Sequence, residues 1–202
     1  MSSREVLISA TTELLWDNGC AATSPAMIQK RAGVGQGSMY HHFSGKPALV
    51  SAAISRRADQ LRREAKSALN GDGSAMERIH AYLDLQRDPL RGCMLGKLGQ
   101  ESDVLADEVN ARVISGYFNW IEGELTGLLE SAIRGGQIRP GADVAGTATL
   151  LVCGIQGAYV LARSEQDPSV FHRAIAGIKQ AIGALLPEVP RTTLAPHDRS
   201  TV

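Results

Sequence analysis

Cysteine is scarce, with only Cys20, Cys93 and Cys153 in 202 residues. An odd number at such wide spacing builds no disulfide framework, and a reducing, cytoplasmic setting is the default expectation. Also lacking are Cys-x-x-Cys, His-Glu-x-x-His and a phosphate-binding glycine loop. No cysteine has a histidine close to it in sequence, so no catalytic residue, metal ligand or cofactor site is expected. Long apolar runs are missing too. No sustained one follows a basic start, so no secretory leader is read. The longest, about Ala145 to Ala162, is interrupted by glycines, threonines and a glutamine. It is shorter than most bilayer spans and reads as a buried helix, not a membrane segment. Finally, there is no net charge, with 21 Lys/Arg against 21 Asp/Glu. That argues against a nonspecific coat for nucleic acid.

What is present is uneven. Residues 1–66 hold nine Lys/Arg and five Asp/Glu, whereas residues 67–202 hold twelve and sixteen. A basic end on a more acidic body suits one DNA-facing region. Helical periodicity runs throughout, with no convincing strand and no internal repeat. The all-α expectation is nine helices. They cover about Arg4–Trp16, Pro25–Ala32, Gly35–Phe43, Lys46–Leu69, Ser74–Asp88, Met94–Asp103, Ala106–Gly135, Asp143–Ser164 and Pro168–Leu186. Asn70-Gly71-Asp72-Gly73, Pro89-Leu90-Arg91-Gly92 and Gly135–Gly141 are the breaks. The expected organisation is a three-helix unit over 1–50, a larger helical unit over 51–186 and a disordered tail over 187–202.

The most informative stretch lies between Thr23 and Lys46. Val6, Leu7, Ala10, Leu14 and Leu15 give the first helix an apolar stripe, and Gly19 lies just past its end. Thr23-Ser24-Pro25 offers a hydroxyl cap followed by proline at the first helical position. Gly33 permits a positive φ after the short second helix. The third helix, from about Gly35, is dense in small and hydrogen-bonding residues and poor in apolar ones. Helix, short glycine turn, helix is the pattern of a DNA-binding helix-turn-helix, whose second helix enters the major groove.

On Ala10, Leu14, Gly19, Thr23, Ser24, Ile28, Ala32-Gly33-Val34, Gly37, Tyr40, His42-Phe43, Lys46 and Leu49, in order and at spacing, the chain resembles the tetracycline-repressor (TetR) family of bacterial regulators. The resemblance implies an all-helical dimer, with an N-terminal DNA-binding domain and a C-terminal ligand-sensing domain. Gly35 departs from the capping residue often found there, and Pro47 stands where charge is common. Both fit the helix starts they occupy.

The DNA-contact candidates follow from side-chain chemistry. Gln36 suits adenine. Gly37 allows close backbone approach. Ser38, Tyr40 and His41 can reach phosphate or a base edge. Lys46 adds a charge at a helix start. Thr23 and Ser24 either contact phosphate or only cap, and His42 either contacts DNA or serves the fold. Arg56, Arg57, Arg62 and Arg63 read as a solvated face.

In the second unit, Arg91 to Glu101 resembles the Gly-Cys-x-x-Gly-x-x-x-x-Glu segment of the LmrA/YxaF-like branch. This places Cys93 and Met94 beside an inducer cavity, unless Cys93 merely packs. Tyr82, Gln86, Tyr117, Trp120, Cys153, Gln156 and Tyr159 are the other ligand candidates, polar atoms among apolar neighbours. They are neutral, so a largely apolar small molecule is expected. The small residues of the last two helices point to a homodimer seam filled by Leu150, Ile155, Ile175, Ile178 and Ile182. The resulting expectation is a repressor that binds a palindromic operator in double-stranded DNA as a dimer and is released by an inducer. A redox sensor using Cys93 or Cys153 and a protein-binding helical module are the rivals.

Overall fold

The computed structural model describes residues 2–186, so the expected tail lies outside the described residues. Ten α-helices and no strand occur among them. They are α1 (Ser3–Asn18), α2 (Pro25–Ala32), α3 (Gln36–His42), α4 (Lys46–Leu69), α5 (Ala75–Leu83), α6 (Met94–Leu98), α7 (Ser102–Leu105), α8 (Glu108–Arg134), α9 (Val144–Glu165) and α10 (Pro168–Gly183).

Local signals fix most boundaries. Ser2 and Ser24 accept from the third amide of α1 and α2 respectively. Ser74 and Glu77 close a reciprocal capping box at α5. Asp107, Asp143 and Asp167 cap the three long C-terminal helices. Gly33 ends α2 in the left-handed region, at φ 65°.

Two boundaries depart most from expectation, and long-range bonds or side-chain caps account for both. The helix expected over 94–103 is two short ones. Glu101 is extended between them, and its carboxylate accepts from the amides of Cys20 (2.9 Å) and Ala21 (3.3 Å). The chain leaves the helical path to deliver that carboxylate. The helix expected to reach Asp88 stops at Leu83. There the Arg87 guanidinium donates to the carbonyls of Tyr82, Leu83 and Leu85 at 2.7–3.0 Å, substituting for the helical amides those groups would otherwise meet.

Two cores result. One joins Leu7, Leu15, Ile28, Met39, Leu49 and Ile54 to Met94, Leu95, Leu98 and Ile114. The other joins the end of α4 to α5, α8, α9 and α10, through Leu69, Ile79, Leu125, Leu129, Leu151 and Phe171. Helix α4 runs unbroken from the first core into the second, so residue 50 lies inside a continuous helix. Helix α9 is long and apolar enough to cross a membrane by length and composition. It is not the buried helix expected, since only 22 % of its most apolar window is buried. Leu150, Val160 and Leu161 are more than half exposed.

Candidate nucleic-acid interface and effector cavity

Helix α3 has two unlike faces. Met39 is fully buried and Phe43 nearly so, which fixes the helix to the first core. Gln29 Nε2 lies 3.7 Å from Met39 Sδ, and Arg4 sits over the Phe43 ring. The opposite face presents Gln36, Gly37, Tyr40 and His41 to solvent, with Ser38 and His42 half-buried. That spacing aligns the first turn and the next along one side.

The flanking candidates divide. Ser24 is exposed, although its hydroxyl already accepts from Met27 N at 3.2 Å. Thr23 is a correction: it is fully buried, its hydroxyl donates to Gly19 O at 2.7 Å, and it has no surface to offer phosphate. Lys46 Nζ donates to Cys20 O at 2.8 Å, which leaves two of its three protons free. Arg4, over the Phe43 ring, is exposed, as are Lys30 and Arg31 at the end of α2. None of the three carries a motif signal.

The second unit holds a cavity of about 570 Å³. Six of the nine ligand candidates line it: Tyr82, Gln86, Cys93, Tyr117, Gln156 and Tyr159. Met94 does not, being fully buried in the first core. Trp120 does not, and its indole N–H donates to Glu124 at 3.0 Å. Cys153 is exposed and lines a separate cavity of about 610 Å³ on the α9 face. Cys93, Gln156 and Tyr159 border both cavities. A Cβ at Gly96 would collide with the Gln156 carboxamide, so glycine there admits that side chain.

Burial pushes the phenols of Tyr82, Tyr117 and Tyr159 above their ordinary range, so they remain protonated donors. Burial also raises the Cys93 thiol, the reverse of what a reactive thiolate requires.

Sequence reasoning missed two lining residues, Trp16 and Arg57. The Arg57 side chain is only 12 % exposed, so it is no part of a solvated face. Its guanidinium stacks on Trp16 at 4.4 Å, with Arg91 on the same indole at 4.1 Å. Arg91 pairs with Glu13 at 2.5 Å and Asp17 at 2.8 Å. Trp16 Nε1 donates to Gly92 O at 2.8 Å, and Lys97 Nζ donates to Trp16 O. Together with Glu101, these bonds make residues 91–101 the joint between the end of α1 and the cavity wall.

A family model described as "Bacterial regulatory proteins, tetR family" matches residues 7–53. A second, "Tetracyclin repressor-like, C-terminal domain", matches residues 73–178, more than half the chain. The chain belongs to the TetR family. It is therefore a DNA-binding transcriptional regulator, of a kind that commonly represses and commonly responds to ligands. It is similar to the transcriptional regulator AcuR of Cereibacter sphaeroides, with 27 % identity over 84 % of this chain and 80 % of that one. It is similar to the transcriptional regulator LmrA of Bacillus subtilis at 26 %, over 58 % of this chain and 66 % of that one. A solved TetR regulatory protein from Rhodobacter sphaeroides superposes with a TM-score of 0.78. It is 26 % identical, and the match covers 88 % of this chain and 97 % of that one. These relatives are transcriptional regulators, not enzymes.

Proposed function

We propose that this TetR-family protein is a cytoplasmic repressor that binds a palindromic operator as a homodimer and leaves it when a small molecule fills the cavity of about 570 Å³. The observation that carries the reading is the joint. Trp16 belongs to the helix that supports the DNA-facing unit, and it also lines the cavity. A ligand that displaces Arg57 or Gly92 therefore acts on α1 directly. Coupling requires the ligand to favour one of two arrangements of that joint.

In this reading Gln36 reads a base edge. Gly37 permits close approach, and Ser38, Tyr40, His41, His42, Ser24 and Lys46 meet phosphate or base. The dimer seam uses α9 and α10. Leu150, Cys153, Gly157 and Leu161 form an exposed stripe on α9, and Ala176, Gly177 and Ala181 face out of α10. Ile155, Ile175 and Ile182 are already buried within one subunit, and Ile178 packs against Gly154. Of the five residues read as seam fillers, Leu150 remains available.

Selection of binding sites from random duplexes tests the DNA half. The native protein should enrich an inverted repeat, and Gln36→Ala should lose preference at one symmetric base position at a cost of about 1–3 kcal/mol. An unchanged preferred site would remove Gln36 from base reading. Enrichment of a site without two-fold symmetry would remove the palindrome.

A further inference from the structure

The polar groups on the wall of the cavity described above are mostly donors. Tyr82, Tyr117 and Tyr159 bring three phenols to this wall, with Tyr82 lying against Arg87 and Tyr117. Gln156 brings a carboxamide that can donate or accept.

Two cations lie behind these groups. Arg57 Nε is buried with no partner among the described residues, and only its Nη1 is engaged, by Glu64 at 3.2 Å. The side chain lines the cavity and its Nη2 has no hydrogen bond among the described residues, while Nε, which completes the edge that a carboxylate grips with both oxygens, is closed to solvent. Arg87 is held by three backbone carbonyls and has no carboxylate partner among the described residues. The acids are placed differently. Glu64 is more than half exposed, and Asp88 is exposed with one oxygen taken by the amides of Leu90 and Arg91. Positive charge is thus inside and negative charge at the mouth. Leu61, Leu85 and Ile155 supply an apolar wall.

We propose that the effector is a small organic acid whose carboxylate pairs with the Arg57 guanidinium and whose apolar body lies against Leu61, Leu85 and Ile155. The proposal rests on the ligand-responsive reading above and adds the chemical class. It departs from the neutral ligand expected from the sequence, because the partner a charge needs is an arginine that periodicity assigns to solvent. It also gives the joint a trigger. Because Nε is buried, Arg57 presents both nitrogens of that edge to a carboxylate only by shifting on Trp16.

The test uses the full-length chain with Trp120→Phe, which leaves Trp16 as the fluorescent reporter. Its operator affinity is first matched to that of the native chain. Benzoate with benzamide and hexanoate with hexanamide are titrated at fixed ionic strength, with N-phenyl-1-naphthylamine as a neutral probe. At least one acid should shift Trp16 emission and release operator at a concentration tenfold or more below its amide. Arg57→Gln should bring acid and amide within twofold of each other, and Arg57→Lys should restore part of the ratio. Because each ratio is taken within one protein, a loss of stability in the variant does not mimic the result. Equal response to acid and amide, a ratio that survives Arg57→Gln, or no response to either acid overturns the proposal. If the neutral probe alone shifts Trp16 and releases operator, the cavity is an effector site for another class. If neither probe nor acid does so, the ligand-responsive reading of this cavity fails with it.

Discussion

The DNA-facing unit and the sensing unit are held together by bonds of different range. In the first, Ser2, Ser24, Gly33 and the Thr23 hydroxyl all act within a few residues of themselves. At the joint with the second, Trp16 reaches Gly92 across 76 positions and Glu101 reaches Cys20 across 81. The surfaces differ in the same sense. The outer face of α3 is polar, exposed and free of long-range bonds among the described residues, as a surface awaiting a polar groove should be. The cavity concentrates buried donors behind a solvated rim. The contrast teaches that the caps and turns of the DNA-facing unit rest on local signals, whereas its union with the second unit rests on bonds between residues distant in the chain.

The largest expected effect breaks the rigid side of this contrast. Met39→Ala removes the side chain that fixes α3 and should cost about 2–5 kcal/mol. Thermal unfolding should show the loss, and operator binding should fall at temperatures where the cavity still takes its ligand. Equal loss of both would mean that the two units unfold as one.

Next comes the seam, where the competing substitutions are Leu161→Glu and Ile178→Glu. Leu161 is more than half exposed on α9, whereas Ile178 packs on Gly154 within the subunit. The first should give folded monomers with weak operator affinity. The second should lower thermal stability. Sedimentation together with circular dichroism separates them. A fully dimeric Leu161→Glu chain would move the interface away from this stripe.

Smaller effects sharpen the boundary between caps and contacts. Lys46→Ala should flatten the dependence of operator affinity on salt by about one unit of slope. Thr23→Val should leave that slope unchanged while costing about 1 kcal/mol of stability through the lost bond to Gly19. A reduced slope for Thr23→Val would return that residue to the DNA surface.

The smallest effect concerns thiol chemistry. With its ionisation raised by burial, Cys93 should resist iodoacetamide at neutral pH, and its alkylation should begin only above the range of an ordinary thiol. Cys153, exposed in the single subunit but on the proposed seam, should react quickly in the monomeric Leu161→Glu chain and slowly in the native dimer. Mass spectrometry of the modified peptides reads both. Fast modification of Cys93 near neutrality would revive a redox sensor.

The helical class, the turn at Gly33, the cap at Ser24 and the exposed character of α3 could be read from the chain alone. Each depends on side chains meeting backbone within one or two turns, so spacing is enough to reveal it. Five residues that line the cavity, Tyr82, Gln86, Tyr117, Gln156 and Tyr159, were picked out as polar atoms at helical intervals among apolar neighbours, and Cys93 by the local resemblance. Which long side chains turn inward, and which groups end a helix from afar, is settled by packing. Arg57 lies in a run of arginines that looks solvated, and becomes a cavity wall because Trp16 lies against it. Met94 and Trp120 look like ligand contacts, and are taken by a core and by Glu124. The helix over 94–103 is broken by a carboxylate serving a loop 80 residues earlier. Periodicity reports a residue's place on its own helix, but burial depends on the neighbour that arrives, and that neighbour is distant in the chain.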